Sequence, residues 1–252
     1  MLTDQQIREE VMVPPRRTFL AATDLQLIDR PGWLQISTPS MRDGGMNEVV
    51  HAELTDDEAD ATIARVCADY RALGVKWRWR VGPGSTPADL GDRLARHGLV
   101  RREVSGMARA TEPIAPVPGV EIVRVDATTV DEVTDVMARG WAMAPAPLLP
   151  LNELALRDPR FALYLARIAG VPVGAASAVW FPRSVYLMGG VVIESHRGRG
   201  AYRALAAARI TEAAARGIPL ATSHARPESS APSLARMGFR EVVRFASYAP
   251  PG

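Results

Sequence analysis

The stretch LARHGLVRREVSGMA, starting at Leu94, recurs as LARMGFREVVRFASYA, starting at Leu234, with Leu-Ala-Arg, one residue, Gly and an apolar residue in common. Internal self-similarity constrains a fold more than composition does, because it makes one half of the chain a template for the other. The similarity extends upstream: ADATIARVCADYRALGVKWRWRV (59–81) follows the order of LAAARITEAAARGIPLATSH (205–224), with Gly74 standing for Gly217 before a strand. From that glycine to the next matched one is 24 residues in the first copy and 21 in the second, a difference that a loop absorbs. Two halves of related fold are expected, 1–112 and 113–252, joined near ATEPIAPVPG (110–119), whose three prolines suit an extended linker.

The second half reads as mixed strands and helices. A strand at 119–125 precedes TTVDEVTDVMARGWA (128–142), where Val130, Val133, Val136 and Met137 share a helical face. The proline-rich segment after Trp141 reads as a loop with one short helix, of the kind that lines substrate clefts. The apolar run Phe161–Phe181 approaches bilayer-spanning length, but Arg167 and Gly170-Val171-Pro172-Val173-Gly174 divide it into a β-hairpin. A strand (184–194), a helix (200–216), a strand (218–224), a short helix and a closing strand complete an α/β pattern with a mixed (α+β) sheet.

Between strand 184–194 and the following helix lies Arg197-Gly198-Arg199-Gly200-Ala201-Tyr202-Arg203. Such a turn presents unpaired backbone N–H groups, a positive dipole end and guanidinium charges, which together suit a pyrophosphate. Glycines permit positive φ and close approach of the phosphate. The alternative reading of these residues alone is an ordinary strand-to-helix turn with solvated arginines.

This turn, the hairpin before it and the terminal Met237-Gly238-Phe239 resemble the GNAT acyltransferase superfamily from about Val120 to Tyr248, and the chain resembles two such units in tandem. The resemblance implies acetyl-CoA or another acyl-CoA, with its pyrophosphate on Gly198, Arg199, Gly200, Ala201, Tyr202 and Arg203 beside Arg197. It also implies a pantetheine arm pairing with the strand near Gly190 and Val192, and acyl transfer to the amine of a small molecule. Two positions depart from the family pattern. Tyr202 fills a motif position that is usually small, so it either points outward or alters how the adenine and phosphates lie. Leu234 stands where many members place a tyrosine acting as general acid towards the thiolate.

For the base, His224 is the first candidate, since it ends the strand beside the cofactor strand and histidine ordinarily titrates near neutrality. A histidine hydrogen-bonded at a strand end is the competing reading. Glu228 and Glu194 are alternatives, Glu194 being better read as a solvated carboxylate. Ser230, with Ser229 and Ser233, either donates to the CoA or caps the short helix. Trp141, Trp180 and the Met143 region fall where the family builds its acceptor pocket, and core packing is the competing use of each.

The first copy lacks the phosphate turn. At the matching place it has HAELTDDEADA, with Thr55 as N-cap and Asp56, Asp57 and Glu58 in the first helical turn, carboxylates that stabilise the helix and repel a pyrophosphate. That half is expected to be non-catalytic. Its KWRWRV segment could stack bases, but strand alternation puts Trp77 and Trp79 inward and the basic residues in water.

Thirty basic against 28 acidic residues give +2, with no polybasic tail to demand nucleic acid or anionic lipid. Lys76 is the only lysine, a bias typical of GC-rich bacterial coding. The single Cys67 excludes an internal disulfide or a cysteine-built zinc site, no metal is expected, and nothing N-terminal resembles a signal peptide, so a cytoplasmic address is expected, with the protein a monomer or homodimer. Three functions stay open: an acetyl-CoA-dependent N-acetyltransferase, a related enzyme with another acyl donor or different chemistry, and a non-catalytic CoA-binding regulatory module.

Overall fold

A computed structural model describes residues 2–251. In chain order the elements are α1 (Asp4–Met12), β1 (Gln26–Arg30), β2 (Trp33–Ser37), β3 (Glu48–Ala52), α2 (Asp56–Leu73), β4 (Arg78–Val81), α3 (Leu90–Arg96) and β5 (Val100–Ala110). The second half continues with β6 (Glu121–Arg124), α4 (Val130–Trp141), α5 (Leu148–Arg157), β7 (Phe161–Ile168), β8 (Val171–Trp180) and β9 (Ser184–Val192). It closes with α6 (Ala201–Ala215), β10 (Leu220–Ala225), α7 (Ser230–Ala235) and β11 (Arg240–Ala249).

The chain forms two compact units: Met1–Leu20 with Ser105–Val243, and Ala21–Val104 with Arg244–Gly252. Similarity between repeats divides the chain at about 112, whereas compactness divides it through two strands. β5 follows α3 of the first repeat, yet from Ser105 onward it pairs antiparallel with β10 of the second. β11 follows α7 of the second repeat, yet Ala246–Tyr248 pair with β4 of the first. Each unit therefore takes its last strand from the other repeat.

In the unit built around the second repeat, the strands run β5-β10-β9-β8-β7-β6, and only β9 and β10 are parallel. The suspected bilayer-length run is the β7–β8 hairpin, with Phe161 opposite Val179 and Ile168 opposite Val171. Among the described residues no helix is long and apolar enough to cross a membrane. Helices α4 and α6 cover opposite faces of this sheet: Gly189 looks towards Trp141 of α4, while Gly190, its neighbour in the chain, looks towards Tyr202 and Arg209 of α6. Gly140 lets α4 come close to β9, since a Cβ there would collide with Val191. The core joins Leu205, Ile210 and Ala213 of α6 to Ala176 and Ala178 of β8, Leu187 of β9 and Ala221 of β10. Leu234, Met237 and Phe239 close it beneath α7.

The unit of the first repeat has the order β1-β2-β3-β4-β11, again with one parallel pair, β3 and β4. Helix α2 starts at the expected capping box, where the Glu58 carboxylate accepts from the Thr55 N–H at 3.1 Å, and ends at Gly74 with φ +64°. Trp77 and Trp79 are buried, Trp79 edge-on to Trp33 and Trp77 stacked on Tyr70, so neither ring offers a face to a nucleobase. Glu48 is buried between Arg78 and Arg80. Burial works against its charge, but the two guanidinium groups outweigh that and hold the carboxyl below the usual range.

Candidate active site

β9 and β10 begin side by side and then lose each other. Their pairing covers Leu220 with Ser184, Ala221 with Val185 and Thr222 with Tyr186, whereas β10 runs to Ala225 and β9 to Val192. Past Thr222, β10 keeps its ladder to β5 through Ala225 and Ser105 while β9 keeps its ladder to β8 through Val192 and Gly174, so the sheet opens between β9 and β10. A bulge accompanies the departure: on β9, Val191 faces Ala175 and Met188 faces Ser177, which sets Gly189 and Gly190 against Ala176 alone. Gly189 takes φ +63°, which explains a glycine at the bulge. The Ser223 hydroxyl donates to the Leu187 carbonyl at 2.8 Å and steadies the mouth of the opening. From there to Val192, β9 has no ladder partner on its β10 side, leaving backbone groups for an extended ligand to pair with.

That open edge leads into the turn singled out in the sequence. Gly198 and Gly200 have φ +78° and +87°, and α6 starts at Ala201 directly after. Arg197 reaches back, its Nε donating to the Val192 carbonyl at 3.4 Å and its Nη1 lying 3.8 Å from exposed Glu194. Arg199 and Arg203 are exposed and make no ion pair among the described residues. The result is a helix N-terminus with free N–H groups, two left-handed glycines and unneutralised positive charge.

Tyr202 does not point outward. Its ring packs against β9 so closely that a Cβ on Gly190 would sit 3.0 Å from Cε2, and burial pushes its phenol up. A large residue on the helix is thus matched by the absence of a side chain on the strand. Val192 is buried beside this turn. His224 is half-buried, with its ring edge towards Tyr186 and its Nε2 donating to the Val11 carbonyl at 2.8 Å. A carbonyl only accepts, so Nε2 carries the proton in this bond. Glu228 is exposed in the β10–α7 loop and is not brought to the open edge by any hydrogen bond. The Ser230 hydroxyl accepts from the Arg226 N–H at 2.9 Å and closes that loop, while Ser229 is the N-cap residue of α7. Trp180 is buried with Arg216 over its ring at 4.4 Å, and Trp141 stays 37% exposed beside Gly189, at the mouth of the open edge. No group of three or more metal-ligating side chains occurs among the described residues.

Sequence reasoning passed over Arg209, which is 2% exposed. Its Nε donates to the Leu205 carbonyl at 2.9 Å, and Nη1 donates to the Ser177 carbonyl at 2.9 Å and to that of Met188 at 3.4 Å. Arg209 therefore lies beneath the bulge. The signal was present in the alanine-rich helix, where Arg209 shares the buried face of Leu205, Ile210 and Ala213. A second missed group lies nearby: the Tyr164 hydroxyl donates to Glu212, which also binds Arg124 and Arg216.

The first repeat has the same parallel pair and a bulge at the same place, between Leu34–Gln35 and Val49–His51, but its edge is taken. Thr86 inserts beside β3. Its N–H donates to the Ala52 carbonyl at 3.2 Å, its carbonyl accepts from the Leu54 N–H at 3.1 Å, and its hydroxyl donates to the Leu54 carbonyl at 2.9 Å. The chain itself fills the place that stays open in the second repeat.

An acetyltransferase (GNAT) family model matches residues 129–239, from the start of α4 to the end of the α7 turn. The match lies wholly within the second repeat. Solved structures extend the likeness in fold to the whole chain. A GCN5-related N-acetyltransferase from Kribbella flavida aligns with TM-score 0.67 at 14% identity, covering 100% of this chain and 96% of that one. A functionally unknown conserved protein from Staphylococcus epidermidis aligns with TM-score 0.71 at 10% identity, over 96% and 98% of the two chains. A tandem GNAT protein from the clavulanic acid biosynthesis pathway aligns with TM-score 0.59 at 12% identity, over 99% and 96%. A comparison with curated proteins found no match. The chain has the tandem GNAT fold, with the two-glycine turn before α6 in its second copy and Thr55 with three carboxylates at the matching place in its first.

Proposed function

We propose that this protein is an acyl-CoA-dependent N-acyltransferase, with acetyl-CoA as donor and a small-molecule amine as acceptor, and with one cofactor site in the second repeat. The observation that carries the reading is the continuity of an unpaired β9 edge with the Gly198–Arg203 turn. An acyl-CoA is an extended chain of amides ending in a pyrophosphate. Its pantetheine amides match the stretch 188–192 of β9 that has no ladder partner on its β10 side, and its pyrophosphate matches the α6 N-terminus with Arg197, Arg199 and Arg203. The first repeat takes no donor in this reading, because Thr86 occupies its edge and Asp56, Asp57 and Glu58 occupy its helix start.

The residues divide the work. Backbone of β9 orients the donor and fixes the thioester at the bulge. Trp141 borders the side from which the amine arrives, and His224, its ring held by the Val11 carbonyl, receives the amine's proton. Leu234 is 1% exposed and sits in the core, so α7 supplies no acid.

Calorimetric titration with CoA and acetyl-CoA tests this reading, followed by thiol release in the presence of a panel of amines. One equivalent bound, with amine-dependent release of CoA, is the expected result. No binding by the folded protein overturns it. Tight binding without turnover on any amine would instead favour the regulatory CoA-binding module.

A further inference from the structure

Arg209 is a buried cation with no anion. Its three recorded hydrogen bonds all go to neutral backbone carbonyls, of Leu205, Ser177 and Met188, and no carboxylate among the described residues lies within ion-pair distance. Loss of hydration pushes its guanidinium down to about 10, which still leaves it charged at neutral pH, and the hydroxyls of Tyr202 and Tyr164 give only partial relief. A buried charge without a partner is costly to keep. The buried and half-buried carboxylates Glu48, Glu10 and Glu212, by contrast, have their counter-ions: Glu48 with Arg78 and Arg80, Glu10 with Arg183, Glu212 with Arg124 and Arg216.

The location says what the charge is for. Nη1 is fixed to both strands of the bulge, at Ser177 and Met188, which aims the guanidinium plane at β9. Among the described residues Nη2 makes no hydrogen bond, and it lies 3.8 Å from the point where a side chain on Gly190 would begin. Because residue 190 has no side chain, nothing on that residue separates Nη2 from the unpaired stretch of β9. Resting on the reading that an acyl-CoA lies along residues 188–192, the geometry points to Arg209 as the group that holds the departing CoA sulfur, stabilising its negative charge in place of a proton-donating acid.

In that step the amine nitrogen attacks the thioester carbon, the carbon–sulfur bond breaks, and its electron pair leaves on sulfur. The amine's proton goes to His224. Arg209 gives up no proton; its N–H groups and charge meet the thiolate, which is protonated by solvent after release. A fixed cation in a dry site is well suited to charge that develops only as the bond breaks. It also explains how transfer proceeds with Leu234 on α7.

The test is the ionisation of CoA bound to the wild-type protein, followed by ultraviolet thiolate absorbance against pH, with the dethio-CoA complex as reference. The reference subtracts Cys67, the only protein thiol. An adjacent cation should make the bound thiol ionise about 1–3 pH units below free CoA. Arg209→Met should erase that displacement and slow turnover on the order of 100-fold, while Arg209→Lys keeps part of both. Should the methionine variant not fold, the wild-type and lysine titrations still decide. CoA that binds but ionises as it does free overturns this inference alone. CoA that does not bind overturns the acyltransferase reading and this inference with it.

Discussion

Reversing Arg199 and Arg203 together to glutamate is the sharpest perturbation of the phosphate turn, because it separates binding from folding. Both side chains are exposed and neither holds an ion pair among the described residues, so their replacement removes nothing from the core. A unit charge about 4 Å from a phosphate oxygen contributes about 1 kcal/mol in water-like surroundings. Reversal changes that by about 2 kcal/mol per arginine, or about 4 kcal/mol for the pair, before screening over a Debye length of about 8 Å at physiological salt. A remaining 2–3 kcal/mol corresponds to a Kd about 30- to 150-fold weaker. Stability should move the other way or not at all, since glutamate in the first turn of α6 favours the helix dipole by about 0.3–1 kcal/mol. Calorimetry with CoA at two salt concentrations, alongside thermal melts, reads both quantities. A double variant that melts as the wild type does and binds CoA within twofold of it would refute the assignment of the turn. Gly200→Glu is the less clean test: its φ of +87° and the nearby Val117 side chain, 2.6 Å from the position of an added Cβ, make it a folding variant as well.

The first repeat should add no second site, so titration to saturation should end at one equivalent of CoA, and a stoichiometry of two would refute the role given to Thr86. His224→Gln should lower kcat by about 100-fold or more while leaving the Kd for CoA unchanged; an unchanged kcat would remove His224 from the chemistry and leave it as a tether to Val11. Leu234→Tyr should lower the melting temperature without raising kcat, because the phenol enters a packed core at a cost of about 1–3 kcal/mol; faster turnover would contradict the part given to Arg209. Glu48, held low by Arg78 and Arg80, contributes stability that is present above the ordinary carboxylate range and is lost as pH falls through its lowered folded value. Melts of wild type and Glu48→Gln between neutral and acid pH should therefore converge on acidification, and parallel curves would contradict the pairing.

What was legible in the sequence is what neighbours along the chain decide. Apolar spacing gave α4, and the match between the two halves paired α2 with α6. Gly170 and Pro172 turned a bilayer-length run into the β7–β8 hairpin, the Thr55–Glu58 box began α2, and Gly198 and Gly200 announced a turn needing positive φ. The repeat foretold two related halves, because matching patterns bury matching faces. What only the tertiary structure decided involves partners far apart in sequence. Nothing local tells β5 to join β10 or β11 to join β4, since any strand of suitable alternation fits either edge. Nor does the sequence show that β9 and β10 part after three residues, that Thr86 fills the corresponding gap in the first repeat, or that Tyr202 turns inward onto Gly190. Arg209 marks the limit most clearly. Its place on an alanine-rich helix face is written in the sequence, but whether a buried arginine meets a carboxylate, or only three backbone carbonyls and an open edge, depends on which strands pack over it.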